Sequence, residues 1–365
     1  MRVLVVNAGS SSLKLRLLDR DDALLADHEL PAGRDGFDGE AAARLLRGLD
    51  RIDAIGHRFV HGGPRLTAAV RLEDDVERYL RSLVDLAPLH QPPALAGAAL
   101  TRRLLPGVPA VACLDTAFHA GMPAGAATYA LPREWRERHG IRRYGFHGLS
   151  HAYAARRTAE LLEQPAGELR VVTSHLGAGA SLAAVRAGVS VDTTMGFTPL
   201  EGVVMATRPG SIDPGIPLWL QRHAGVPEPD LSDALEHRSG LLALAGSADM
   251  REVLRAAAAG DVDARLGLDV YVHRLRAATA AMAAAMDGLD ALTFTGGVGE
   301  HAAEVRAAVA AGLGFLGVAV DAGRNAAVSG DAEVTAAGGR VRVLVVRARE
   351  DLEIARQVRE VLRPG

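Results

Sequence analysis

One lysine and two asparagines occur in a chain of 365 residues that carries forty arginines. Cysteine is as scarce: Cys113 stands alone, which excludes an intrachain disulfide and any cysteine-based zinc cluster. Long hydrophobic runs are missing too. The most apolar segment, Ala277 to Met286, is short and mostly alanine, so it reads as a packed helix and not as a bilayer span. There is no basic run and the net charge is −3, which argues against a nucleic-acid binder that works by neutralising phosphates. No secretory pattern stands at the N-terminus, where Met1-Arg2 leads straight into a strand-like Val-Leu-Val-Val. The expectation is a cytoplasmic enzyme with no membrane or nucleic-acid partner, long enough for two domains.

What is present is concentrated. Lys14 and Asn7 both fall inside "NAGSSSLK", residues 7–14. A drift toward arginine and alanine along the whole chain makes any position that keeps a disfavoured residue one that needs it. Lysine is a compact, flexible point charge where arginine is a rigid fork. Gly9 permits a tight turn, and consecutive backbone N–H groups there can form an anion-holding nest. The serine hydroxyls, Ser10 and Ser12 among them, and Lys14 supply donors for phosphate oxygens. Asn7 suits a phosphate-bound metal or its water. The GxxxxGK[ST] phosphate loop occurs nowhere.

Arg2–Val6 and Leu13–Leu18 read as a β-hairpin, and Asp53–Val60 as a buried strand. Helical periodicity covers Glu73–Leu86 and Ala94–Leu105, with the prolines of "APLHQPP" predicting an irregular connection. "PAVACLD" is a strand that delivers Asp115 at its end, and "RYGFHGLSH" precedes a helix with Ser150 as N-cap. Residues 169–188 repeat the opening pattern of strand, small-residue turn and strand, with His175 opposite Asn7, which points to a duplicated domain. Strands alternating with helices predict α/β sheets with sites at strand ends. Gly297, Gly299 and Ala302, followed by Asp321, mimic a dinucleotide fingerprint. They lie late in the chain, behind helices, and not in a first βαβ unit. His147 and His151 lack a third ligand nearby for a metal pair.

Taken in order, "VVNAGSSSLK", "DAIGHRFVHGG", "LDTAFHAGMP", "YGFHGLSH", "GFTPLEGVVMATR" and "FTGGVGEH" resemble the acetate kinase family of acyl-phosphate-forming kinases. "REDLEIA" extends the resemblance into the last helix. The fold this implies is that of the sugar kinase, heat-shock 70 and actin superfamily. It has two duplicated ribonuclease H-like α/β domains with a nucleotide cleft between them, expected here at 1–119 plus 352–365 and at 120–351. The implied activity is reversible transfer of the ATP γ-phosphoryl to a short-chain carboxylate, usually acetate, leaving ADP. Magnesium, or manganese in its place, is the implied metal, and a homodimer the implied assembly. Such a transfer asks for positive charge on the equatorial oxygens and in-line positioning.

On the matching motifs, the resemblance makes Arg58 and Arg208 the pair that holds the carboxylate and the transferring phosphoryl. It makes Asp115 a catalytic or metal-orienting carboxylate, His147 the transition-state-stabilising histidine and His90 a second active-site histidine. Glu350 aligns with the magnesium-linked glutamate and Asn7 with its partner. The acyl pocket maps to Val60, Leu89, Phe146 and Pro199. An apolar pocket separates acetate from propionate by only about 1–3 kcal/mol, so propionate and butyrate stay open as substrates. The nucleotide would meet Ser10, Ser12 and Lys14, the run His175, Leu176, Gly177, Ala178 and Gly179, then Asp249, Met250 and Arg251. Its last segment would be Gly297, Val298, Gly299, Glu300 and His301. Departures cluster here: Ala178 and His301 stand where the family usually has asparagine, and Pro209 and Ser211 alter the loop after Arg208. "ARED" replaces the usual "TNEE" before the last helix, and the segment between residues 20 and 52 is shortened. They leave two alternatives, a kinase with another phosphoryl donor and a nucleotide binder without turnover.

Overall fold

The computed structural model describes residues 1–9, 12–33 and 36–363. The chain divides into two compact units, one of Met1–Ala120, Phe146–Tyr153 and Arg349–Gly365, the other of Gly121–Gly145 and Ala154–Ala348. The sequence-based division at 1–119 plus 352–365 and 120–351 differs from it at Ala120, Phe146–Tyr153 and Arg349–Asp351. The two longer pieces are tied to the first unit by polar contacts, Gly148 to the Asp115 carbonyl and Glu350 to Arg58.

In the first unit, strict alternation sends Val3 and Val5 to one face of β1 (Val3–Ala8) and Leu4 and Val6 to the other. β1 pairs antiparallel with β2 (Ser12–Leu18), and β2 with β3 (Leu24–Gly33). A short β4 (Gly36–Phe37) borders β3. On its other side β1 runs parallel to β5 (Ala54–Phe59), and β5 parallel to β7 (Ala110–Leu114), with β6 (Val70–Arg71) antiparallel at the edge. Helices Gly39–Arg47 and Gln91–Leu104 cover one face, and the C-terminal helix Glu350–Val361 covers the other.

The second unit repeats the plan. β8 (Arg170–Leu176), β9 (Ala180–Arg186) and β10 (Val189–Thr193) form the antiparallel meander. β11 (Ala291–Thr295) and β13 (Arg342–Val345) continue in parallel, and β12 (Ala332–Glu333) lies antiparallel at the edge. The strand orders β3-β2-β1-β5-β7-β6 and β10-β9-β8-β11-β13-β12 are the same topology twice, an α/β fold of ribonuclease H-like sheets. Register agrees as well: Val3 pairs with Ala54 as Val171 pairs with Ala291. Asn7 and His175 each stand one residue before the last paired position of their strands.

Two local expectations are corrected. The helix after "RYGFH" spans Gly148–Leu162, so Ser150 is its third residue and not its N-cap. Of the prolines in "APLHQPP", Pro88 lies in the irregular turn at 87–90 as expected, whereas Pro92 and Pro93 sit in the first turn of the helix that starts at Gln91. The reason is that a first turn has no use for the missing N–H. Gly56 in β5 is where the C-terminal helix comes closest: a Cβ there would overlap Ile354 Cγ2 and lie 2.8 Å from Val358 Cγ2. Both are stiff β-branched side chains in a packed core. Gly56→Ala is expected to lower the unfolding free energy by about 1–3 kcal/mol. Urea titration should show this as a lower midpoint at unchanged slope.

Candidate active site

Three adjacent parallel strands of the first unit carry polar residues at or just beyond their C-terminal ends. Asn7 is the last residue but one of β1, Arg58 the last but one of β5, and Asp115 follows β7 with its N–H on the Phe59 carbonyl at 2.9 Å. Open α/β sheets bind ligands at this end of the strands. Arg58 Nε lies 3.1 and 3.2 Å from the two Asp115 oxygens, and Nη2 donates to Oδ2 at 2.7 Å. Nη1 reaches Asn7 Oδ1 and Glu350 Oε2, each at 3.3 Å. The Asn7 amide donates to the same Glu350 oxygen at 3.0 Å. Glu350 opens the C-terminal helix, where the helix dipole favours an anion.

The group is largely withdrawn from water: the side chains of Asp115, Arg58 and Glu350 are 1%, 16% and 15% exposed. Burial works against the charge on Arg58, but Asp115 and Glu350 outweigh it and hold the guanidinium above its ordinary pKa. Burial also pushes the Asp115 carboxyl up, opposed by Arg58. Two carboxylates thus share one guanidinium, and one of them, Glu350, also takes the Asn7 amide. The set is rich in hard oxygen acceptors of the kind that suit a small divalent cation carried with phosphate. Among the described residues, no group of three or more His, Cys, Asp or Glu side chains could hold a metal ion by itself.

Lys14 pairs directly with Asn7 across β1 and β2, so the two share a face of the sheet. Its ammonium lies 3.7 Å from Glu29 on β3. Ser12 contributes its carbonyl to the turn, accepting from Gly9 N–H at 2.9 Å, while Ser10 lies outside the described residues. His147 has φ 56°, a left-handed backbone that a histidine seldom adopts. Gly148 N–H donates to the Asp115 carbonyl at 3.0 Å, and a Cβ on Gly148 would overlap that oxygen. The His119 ring holds the Phe146 carbonyl at 3.1 Å. Phe146 is buried, with His61 edge-on at 5.5 Å. Burial lowers both His61 and His119 to about 4, so their rings stay neutral. Val60 is buried, Leu89 is exposed, and His90 directly precedes the helix Gln91–Leu104. The roles of Gly148 and His119 gave no signal of their own in the sequence, since a close backbone approach shows only in three dimensions.

In the second unit, Arg208 Nη1 donates to the Pro199 carbonyl at 2.8 Å, so these two predicted residues meet. Burial lowers the Arg208 guanidinium, partly opposed by Glu236. Ser211, one of the departures, takes the Gly202 N–H on its hydroxyl and returns its own N–H to Gly202 O. It therefore still closes the loop. His175 and Leu176 end β8, and the turn Gly177–Gly179 closes on a 2.9 Å bond between its end residues. Ala178 is exposed there, its carbonyl bound by Ala206 N–H at 3.0 Å. Asp249 caps the helix Met250–Ala258 and pairs with Arg251, which brings its pKa to about 2, and Met250 is buried. Gly297, Val298, Gly299, Glu300 and His301 lie on the short helix Gly296–His301 behind β11. The carbonyls of Gly299 and Glu300 are held by the buried Arg306, itself bound by Asn325. Sequence reasoning missed Arg306, one arginine among forty.

A model of the acetokinase family matches residues 40–356. An acetate kinase of Leifsonia xyli subsp. xyli is 46% identical, over 100% of this chain and 99% of its own length. One of Synechococcus sp. is 44% identical, over 99% of each. Among solved structures, Porphyromonas gingivalis acetate kinase superposes with a TM-score of 0.91 at 34% identity, over 99% of this chain and 100% of that one. A propionate kinase from Francisella tularensis gives the same TM-score, identity and coverage. With the strand-end motifs in their order and a match of this extent, the chain belongs to the acetokinase family.

Proposed function

We propose that this chain, by family a phosphotransferase with a carboxyl group as acceptor, transfers the γ-phosphoryl of ATP reversibly to acetate, giving acetyl phosphate and ADP. The observation that carries the reading is the buried Arg58 group, in which one guanidinium is shared by Asp115, Glu350 and Asn7. Arg58 fixes the acceptor carboxylate, and Arg208, with His147 and Lys14, neutralises the transferring group. Transfer of this kind is governed by positioning and charge stabilisation. No general base is needed, because a carboxylate is already ionised near neutral pH. Asn7, Asp115 and Glu350 would hold a magnesium ion or its waters, and the ion would screen the phosphate charge when bound. Their donor chemistry fits that cation. His90, Val60, Leu89, Phe146 and Pro199 border the acyl group. The nucleotide is held by Ser10, Ser12, the turn His175–Gly179, Asp249–Arg251 and Gly297–His301.

A propionate acceptor is the second reading, favoured by the equal structural likeness to an acetate kinase and to a propionate kinase. The chain works in the cytoplasm as a homodimer. The exposed Ile216, Leu218 and Trp219 of one helix supply apolar surface suited to such an association. The long helix Val262–Ala285 turns much of its apolar face into its own unit.

Hydroxamate formation from ATP, magnesium and acetate, with propionate, butyrate and pyrophosphate in parallel, is the direct test. Product with ATP and acetate is expected, lost on chelation and restored by magnesium. Binding of ATP without product from any pair would refute the reading. Arg58→Lys keeps a charge beside Asp115 but loses the fork, and kcat/KM should fall roughly 10²–10³-fold with an unchanged circular dichroism spectrum. Gly148→Ala forces Asp115 and His147 apart, and about a hundredfold loss of kcat is expected from the misplacement. Near-full activity of either variant in steady-state assays would remove that residue from the mechanism.

A further inference from the structure

The second unit holds a polar group that the proposed chemistry does not use. The Tyr129 hydroxyl donates to Glu201 Oε2, and Arg143 Nη2 donates to Glu201 Oε1 at 2.8 Å. The Arg143 guanidinium lies over the Tyr129 ring, 5.4 Å from its centre. The same two side chains grip backbone. Arg143 Nη1 donates to the carbonyls of Thr194 and Met195, both at 3.1 Å, and Phe197 N–H donates to the Tyr129 hydroxyl at 2.9 Å. Between them, the Gly196 carbonyl takes the N–H groups of Tyr144 and Gly145 at 3.0 and 3.3 Å. A Cβ at Gly196 would overlap both Glu201 Oε2 and the Tyr129 hydroxyl. The strap from Thr194 to Glu201 is thus held along its length. From inside it, the Pro199 carbonyl receives Arg208 Nη1.

We infer that Tyr129, Arg143 and Glu201 are positioning residues that fix the 194–201 strap and, through the Pro199 carbonyl, the direction of the Arg208 guanidinium. The kinetic part of this inference rests on the role proposed for Arg208. A guanidinium bonded to a backbone carbonyl points where that carbonyl sits, so freedom in the strap becomes freedom at Arg208. The charge on Glu201 makes both bonds stronger than neutral ones. Tyr129 stays a donor because burial, then Glu201, push its hydroxyl pKa up.

The test compares wild type, Glu201→Ala, Glu201→Gln and Tyr129→Phe by hydrogen exchange, by acetate kinetics and by calorimetric ADP binding. In Glu201→Ala, exchange across 194–208 should rise about tenfold or more while 262–285 is unchanged. kcat/KM for acetate should fall by about tenfold or more with ADP affinity within about twofold. Glu201→Gln keeps one acceptor oxygen, which can still take the Arg143 bond, but turns an NH2 toward the Tyr129 hydroxyl, so it should recover only part of the loss. Adding Tyr129→Phe to Glu201→Ala should cost little more, because the residues act as one unit. If Glu201→Ala does not fold, Tyr129→Phe carries the same comparison. Unchanged exchange at 194–208, a rise spread evenly over the chain, or normal acetate kinetics despite a local rise would each overturn the inference. A wild type without turnover on any acid would sink the kinase reading, while the exchange comparison would still decide whether the three residues hold the strap.

Discussion

A guanidinium with little exposure keeps its charge only if anions come to it, and the first unit is arranged around that demand at Arg58. Removing a charge from water costs several kcal/mol after relaxation, and breaking a buried pair costs about 3–5 kcal/mol. The partners that meet the cost come from far apart in the chain: Asn7 from the first strand, Asp115 from the last strand of the sheet, Glu350 from the final helix. The C-terminal helix is therefore held twice, by Ile354 and Val358 against Gly56 and by Glu350 on Arg58. Arg16 on β2 adds a third hold by pairing with the buried Asp351 at 3.6 Å. With one cation against two carboxylates, the group retains an excess of negative oxygen, which suits a partner that brings positive charge with it.

The duplicated sheets use one backbone plan for two kinds of chemistry. By register, the place of Asn7 in β1 is taken by His175 in β8, and that of Arg58 in β5 by Thr295 in β11. Where the first unit turns charged side chains into its strand ends, the second brings backbone close. Gly296, with φ 78°, lies so near the Leu176 carbonyl that a Cβ would come within 2.8 Å of its oxygen. The short helix that follows is anchored from below by Arg306, whose hydrogen bonds go to two of its carbonyls and to Asn325. That arrangement fixes the main chain of the segment through its carbonyls. It also gives a physical reason for a chain to carry Ala178 in place of an amide, since the Ala178 carbonyl still ties the turn to Ala206.

Scarcity was a useful guide and a limited one. Of the two asparagines, Asn7 sits in the Arg58 group, whereas Asn325 is buried and holds Arg306 with both its amide oxygen and its carbonyl. The same rarity thus marks two residues that each give a fixed oxygen acceptor to a guanidinium, because a buried guanidinium needs one. The hairpins and the strands delivering Arg58 and Asp115 were legible from alternation and turn residues. β3 was not, since most of it is exposed and it contains Pro31, a residue that argues against a strand anywhere but near an edge. Ser150 looked like a cap by composition, yet the helix starts two residues earlier, where Gly148 can meet the Asp115 carbonyl.

Alone, the sequence determined the α/β class, the repeated hairpin, the order of the motifs and the residue types at the strand ends. These depend on local patterning, in which a side chain's face follows from the two-residue period of a strand. Only the tertiary structure decided which of those residues meet: Asp115 lies 57 positions from Arg58 in the chain, and Glu350 lies 343 from Asn7. Such pairs are set by the register of non-neighbouring strands and by where a distant helix packs. The charge state of a buried group follows from its neighbours in space, which no local pattern encodes.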